Sequence, residues 1–128
     1  MKTFKQTYEI RAGVEKVWQA LVDPKIIEKW SGSSAKMDGK VGTKFELWGG
    51  DIWGINTEVV ESKKLVQDWF GGDWREPSKV TFVLTSDPDG TRVDLIHENL
   101  PDEEAGEFED GWRKFYMGEI KRLLEKAY

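Results

Sequence analysis

Phe4, Gln6, Tyr8 and Ile10 alternate with Thr3, Lys5, Thr7 and Glu9, a period of two that predicts a half-buried strand over residues 3–10. From Gly13 the period lengthens. Val14, Val17, Trp18, Leu21 and Val22 recur at i, i+3, i+4, i+7 and i+8, the spacing of an amphipathic helix. Asp23-Pro24 ends that helix and can open a second, short one, with Asp23 as N-cap and Pro24 at the first helical position. This second helix presents Ile26, Ile27 and Trp30 before SGSSAKMDGKVG breaks the pattern.

Five strand-like runs follow: TKFELW, IWGINTEVVES, LVQDWF, KVTFVLTS and TRVDLIHE, each bounded by glycine or polar pairs. The last two are joined by DPDG, residues 87–90, where Pro88 presets φ and Gly90 can take a positive φ, the marks of a tight turn. After Pro101 comes the acidic run DEEAGEFED, then a segment carrying Arg113, Lys114, Lys121, Arg122 and Lys126. Negative charge at the start and positive charge at the end suit a helix dipole. The order of strand, two helices, antiparallel meander and long terminal helix is α+β, with about six strands and the terminal helix covering the sheet. No internal repeat or linker divides the chain, which reads as one domain over residues 1–128.

The terminal helix carries one discordant residue. At about 100° per residue, Phe108, Trp112, Phe115, Tyr116, Leu123 and Ala127 form an apolar stripe, and Glu119 falls in the middle of it. A buried carboxylate without a partner would protonate. Three placements avoid that: an Arg or Lys partner, a hydrogen bond from a Trp N–H or Tyr O–H, or a wet cavity beneath the helix. Gly118 beside it disfavours helix by about 1 kcal/mol relative to Ala, so close approach of the helix to a strand would explain its presence.

Charge and composition narrow the function. The 128 residues carry a net charge of −5, the wrong sign for a phosphate backbone, and no basic stripe compensates, so nucleic acid is not an expected partner. No apolar run is long enough for a membrane span, and the start lacks the apolar core of a signal peptide; a cytoplasmic location is expected. With no cysteine and one histidine, neither disulfides nor a zinc site is expected, nor any cofactor. Reading DPDG as a calcium loop would put Ile96 where a bidentate Glu must stand, and DGKVGTK lacks the phosphate-loop order.

The lone histidine, His97, shares a strand face with Val93 and Leu95. It is either a general acid–base or polar cavity contact, or a neutral ring with one N–H bonded to nearby backbone. The acidic run 102–110 is either a solvated helix start or a surface for a basic partner. Seven tryptophans are many for this length. Of the aromatic group Trp48, Trp53, Trp69, Phe70 and Trp74, alternation sends Trp69 and Phe70 to opposite faces, so one of them lies outside any cavity on the other's side.

VWQALVDPKIIEKW, LVQDWF, TRVDLIHENLP and GWRKFYMGEIKRLL, in this order, resemble the START-like or SRPBCC superfamily. Within it, the match is to the domain family named for the activator of the 90-kDa heat-shock protein's ATPase, from about Tyr8 to Leu124. The resemblance implies a helix-grip fold, a sheet wrapped around the C-terminal helix with a cavity between. It spans lipid carriers, pigment binders, aromatic cyclases and stress-response co-chaperones. The co-chaperone of this family has two domains, and the resemblance is to its second. The expected function is noncatalytic binding of a small hydrophobic or aromatic ligand in that cavity. The expected lining is drawn from Phe45, Leu47, Trp69, Phe82, Leu95, His97, Trp112, Phe115, Tyr116 and Glu119. The alternatives are a co-chaperone module with a chaperone partner and an aromatic cyclase or dehydratase.

Overall fold

The computed structural model describes residues 1–126. Its sheet has six antiparallel strands in the order β1-β6-β5-β4-β3-β2: β1 Lys2–Ile10, β2 Lys44–Leu47, β3 Ile52–Val60, β4 Lys64–Gly71, β5 Ser78–Asp87 and β6 Gly90–Leu100. Two helices, α1 Val14–Val22 and α2 Pro24–Ser31, follow β1, as the change of period predicts. Asp23 caps α2, its carboxylate accepting from the Lys25 N–H, and Gly32 closes it at φ 73°. Ala127, counted on the apolar stripe, lies outside the described residues.

Register aligns one inward row after another. Tyr8 faces Val93, which faces Leu84; Gln6 faces Leu95, which faces Phe82, which faces Leu65. Apart from Gln6 on the edge strand, these rows are apolar because every second residue of each strand points the same way. DPDG forms the expected hairpin turn: Asp87 pairs with Gly90, whose φ is 142°. Trp69 and Phe70 take opposite faces, Trp69 joining the core and Phe70 stacking on Trp53 outside at 4.3 Å.

The terminal helix is one continuous run with a break in its phase. Helix α3, Ala105–Gly111, passes through a π turn at Trp112–Tyr116 into helix α4, Met117–Glu125. At the turn the Met117 N–H donates to the Trp112 carbonyl, five residues back instead of four, and Tyr116 leaves helical geometry at φ −116°, ψ −85°. One residue more in the turn delays every later side chain by one position. The buried face therefore runs Trp112, Tyr116, Met117, Ile120, with Leu123 and Leu124 packed at its margin.

This break overturns two expectations drawn from an unbroken period. Glu119 is rotated off the core and pairs with Arg122 at 3.1 Å, its side chain 27% exposed. Phe115 is rotated out as well, to 62% exposure. Gly118 also has a different reason from the one expected. A β-carbon there would lie 1.9 Å from the carbonyl oxygen of Arg113, in the preceding turn of the same helix, so glycine admits the π turn and not a strand.

Candidate functional site

Tyr116 stands at the centre of an aromatic cluster that joins every layer of the fold. Its ring lies 4.5 Å from Trp30 of α2 and 4.5 Å from Trp112, with Phe82 at 5.8 Å, Trp69 at 6.0 Å and Trp48 at 6.2 Å. Such contacts combine area burial with quadrupole attraction between rings.

The indole N–H groups in and around this cluster are mostly committed within the protein. Trp30 donates to the Ala20 carbonyl at 2.8 Å, Trp69 to Gln67 Oε1 at 2.8 Å and Trp112 to His97 Nδ1 at 3.0 Å. Behind Trp69, Gln67 Nε2 donates to Asn56 Oδ1 at 2.9 Å, and Asn56 Nδ2 donates to the carbonyls of Asp38 at 2.9 Å and Lys40 at 3.1 Å. That chain ties the loop between α2 and β2 to the sheet. The sequence reading missed it, although its signal was present: Gln67 sits between Leu65 and Trp69, and Asn56 two positions beyond Gly54, polar residues on the inward parity of apolar strands.

His97 shares the inward face with Val93 and Leu95, all three fully buried. An indole can only donate, so His97 Nδ1 accepts from Trp112 and the ring proton sits on Nε2, which donates to Ser78 Oγ at 2.8 Å. Burial pushes the imidazole down to about 3. His97 is thus a neutral ring with both nitrogens occupied, held by side chains instead of backbone. It has no free nitrogen to offer a substrate as acid or base.

Tyr116 differs from all of these. It is 1% exposed, and among the described residues its hydroxyl has no hydrogen-bond partner. Burial raises its pKa, so the group stays a neutral phenol.

Beside the cluster lies a groove of about 660 Å³ between the terminal helix and the turn joining β2 to β3. Trp48 and Ile52 form one wall, Phe108, Trp112, Phe115 and Tyr116 the other, and Trp69 of the sheet contributes behind them. Glu107, Asp110 and Lys114 supply its charged groups. Trp48 holds φ 50° and is followed by Gly49 at 68° and Gly50 at 104°, a left-handed run that is costly for a bulky side chain.

Of the ten residues expected to line a cavity, the structure brings Trp69, Trp112, Phe115 and Tyr116 to this groove. Phe45, Leu47, Phe82, Leu95 and His97 are instead packed in the core, and Glu119 lies on the outer side of α4. The groove lies between the helix and the Trp48–Ile52 turn, with Trp69 of the sheet behind it. Trp48 and Ile52 were not on that lining, because only the tertiary fold carries their turn to the helix. The acidic run contributes Glu107 and Asp110 to the groove and a structural contact from Glu104, whose carboxylate accepts from Trp74 Nε1 at 2.7 Å.

A second cleft, about 930 Å³, lies at the β5–β6 turn among Glu9, Arg11, Asp87, Asp89 and Lys121. It lacks aromatic walls. Among the described residues no group of His, Asp or Glu converges as metal ligands would, and no helix is long and apolar enough to cross a membrane.

Comparison with known proteins agrees with the fold. The solved structure of an HSP90 activator from Plasmodium falciparum is 30% identical, covering 98% of this chain and 97% of that one, with a TM-score of 0.90. A protein from Mesorhizobium loti is 26% identical over 99% of both chains, with a TM-score of 0.86. Among curated proteins, an activator of 90 kDa heat shock protein ATPase homolog from Dictyostelium discoideum is 26% identical over 126 residues, 96% of this chain. The chain spans about a third of that relative's length, 33%. A family model described as activator of Hsp90 ATPase homolog 1-like protein matches residues 11–125. The chain, with its six-stranded sheet gripping a long C-terminal helix, belongs to that family, within the START-like superfamily.

Proposed function

We propose that the protein binds a small, mainly apolar aromatic molecule in the groove between the terminal helix and the Trp48–Ile52 turn, without chemical conversion. The observation that carries this reading is the groove itself: about 660 Å³ lined by seven aromatic or aliphatic side chains, with its charges confined to Glu107, Asp110 and Lys114. Flat side chains held by mutual packing offer a preformed surface for a flat ligand. His97, bonded at both nitrogens, leaves no acid–base pair within the aromatic cluster, which favours binding over turnover. Titration of intrinsic tryptophan fluorescence with two- and three-ring aromatics tests it, since Trp48, Trp69 and Trp112 all border the groove. Saturable quenching, weakened in Phe115→Ala without loss of stability, is expected. Absence of saturable binding across the panel, or an unchanged affinity in Phe115→Ala, counts against it.

A second reading is supported by the outer face of the sheet. There Trp53 and Phe70 stack at 4.3 Å and 10°, Lys44 Nζ stands 4.8 Å over the Trp53 ring, and Ile55 is 38% exposed. Relatives and a structural neighbour are named as activators of a heat-shock protein, so a chaperone partner would find an aromatic–cationic patch here. Titration of purified 90-kDa heat-shock protein against the wild type and Trp53→Ala distinguishes the readings: binding lost in Trp53→Ala supports the patch, and no binding by the wild type removes it.

A further inference from the structure

We propose that the Tyr116 hydroxyl is the polar recognition group of the groove and that it selects ligands bearing a neutral hydrogen-bond acceptor, such as an aryl ketone. The inference rests on the groove reading above and names what that site discriminates. Tyr116 is both a wall of the groove and the centre of the aromatic cluster. Its hydroxyl is shielded from solvent and finds no acceptor among the described residues, whereas the neighbouring polar groups of Trp30, Trp69, Trp112, Gln67 and Asn56 are all satisfied. Leaving this buried hydroxyl unpaired among the described residues, beside the paired donors of Trp30, Trp69 and Trp112, carries a cost that a ligand atom can remove.

The chemistry of the ligand follows from the surroundings of that hydroxyl. A phenol in an apolar site is a strong donor, and desolvation holds it in its neutral form, so its complement is an acceptor. The acceptor is uncharged, because the rings around Tyr116 offer no cation: the groove's one basic side chain, Lys114, is exposed, and Glu107 and Asp110 stand nearby with the opposite sign. An anion carried in would be desolvated without compensation. A flat aromatic carbonyl meets both demands, its ring against the aromatic walls and its oxygen on the phenol.

Fluorene and fluorenone have nearly the same shape and differ by one carbonyl, so they isolate this contact. Equilibrium dialysis of each against the wild type and Tyr116→Phe gives a ratio of affinities that cancels general apolar binding. The wild type is expected to prefer fluorenone, and Tyr116→Phe to lower that preference about tenfold. Infrared difference spectra supply a second readout: the carbonyl stretch of bound fluorenone is shifted down by hydrogen bonding in the wild type and returns to its apolar-solvent position in Tyr116→Phe. Should the variant fail to fold, the wild-type stretch alone decides, an unshifted band overturning the proposal. If both probes bind and the ratio does not change, Tyr116 is not the recognition group, although the groove stands. Tighter binding of fluorene-9-carboxylate than of fluorenone overturns the requirement for a neutral acceptor. If neither fluorene nor fluorenone binds, the groove reading fails and this inference with it.

Discussion

A β-carbon on Gly118 would sit 1.9 Å from the carbonyl oxygen of Arg113, five residues earlier in the same helix. That proximity belongs to the π turn, whose hydrogen bond from Met117 to Trp112 also spans five residues. The turn decides which side chains reach the sheet. Without it, Glu119 would follow Tyr116 onto the core face; with it, Met117 and Ile120 do.

Gly118→Ala is therefore expected to destabilise the protein by about 1 to 3 kcal/mol, the range for forcing a backbone to relieve a steric clash. The direction is the informative part, since Ala in an ordinary helix interior gains about 1 kcal/mol over Gly. Urea melts with tryptophan fluorescence measure it. A stabilised variant would mean that the helix runs without a π turn.

Glu119 gives the complementary test. Its partner Arg122 is 76% exposed at the side chain and one helical turn away, so the pair is a surface pair of small worth. Glu119→Gln and Glu119→Leu should each change stability by less than about 1 kcal/mol. A carboxylate buried against a basic partner would instead cost about 3 to 5 kcal/mol on removal. Denaturant midpoints of the two variants separate these cases.

His97 should make stability fall on the acid side of neutrality. Its unfolded pKa is about 6.5, and burial holds the folded value at about 3. Below the first value the unfolded chain takes a proton that the folded ring refuses, so stability is lost as pH falls from about 6.5 towards 3. The slope is about 1.4 kcal/mol per pH unit, or about 2 kcal/mol lost between pH 7.5 and pH 5. As the chain has one histidine, His97→Gln should flatten the profile over this interval by that amount. Parallel melts of both proteins at closely spaced pH values would reveal a shared slope if the assignment were wrong.

Gln67 links Trp69 to Asn56 and is fully buried. Gln67→Leu preserves the volume approximately but leaves the Trp69 N–H and the Asn56 amide oxygen without partners. Each stranded group costs about 1 to 3 kcal/mol. A near-neutral result in thermal melts would show that the loop between α2 and β2 does not depend on this chain of bonds.

Strand alternation from Thr3 to Ile10, the helical spacing of Val14 to Val22, the Asp23-Pro24 cap and the DPDG turn are local signals, and each produced the element it predicts. They are legible because burial on one face imposes a period of two on strands and near 3.6 on helices, whatever lies across the core. The same locality explains the opposite faces of Trp69 and Phe70 and the inward direction of His97. What the period could not carry was a change in itself. The π turn at Trp112–Tyr116 is stabilised by packing of Trp112 and Tyr116 against Trp30, Trp69 and Phe82, residues far away in sequence, so Glu119 and Phe115 were assigned to a face from which the fold rotates them. The groove is tertiary in the same sense. It exists because the turn at Trp48 is carried across to the helix, and the Tyr116 hydroxyl, without a partner among the described residues, is conspicuous only once the bonds of the surrounding side chains are known. Sequence determined the strands, the first two helices and their buried faces, which local periods carry; packing decided the phase of the terminal helix and which buried polar atom among the described residues was left without a partner.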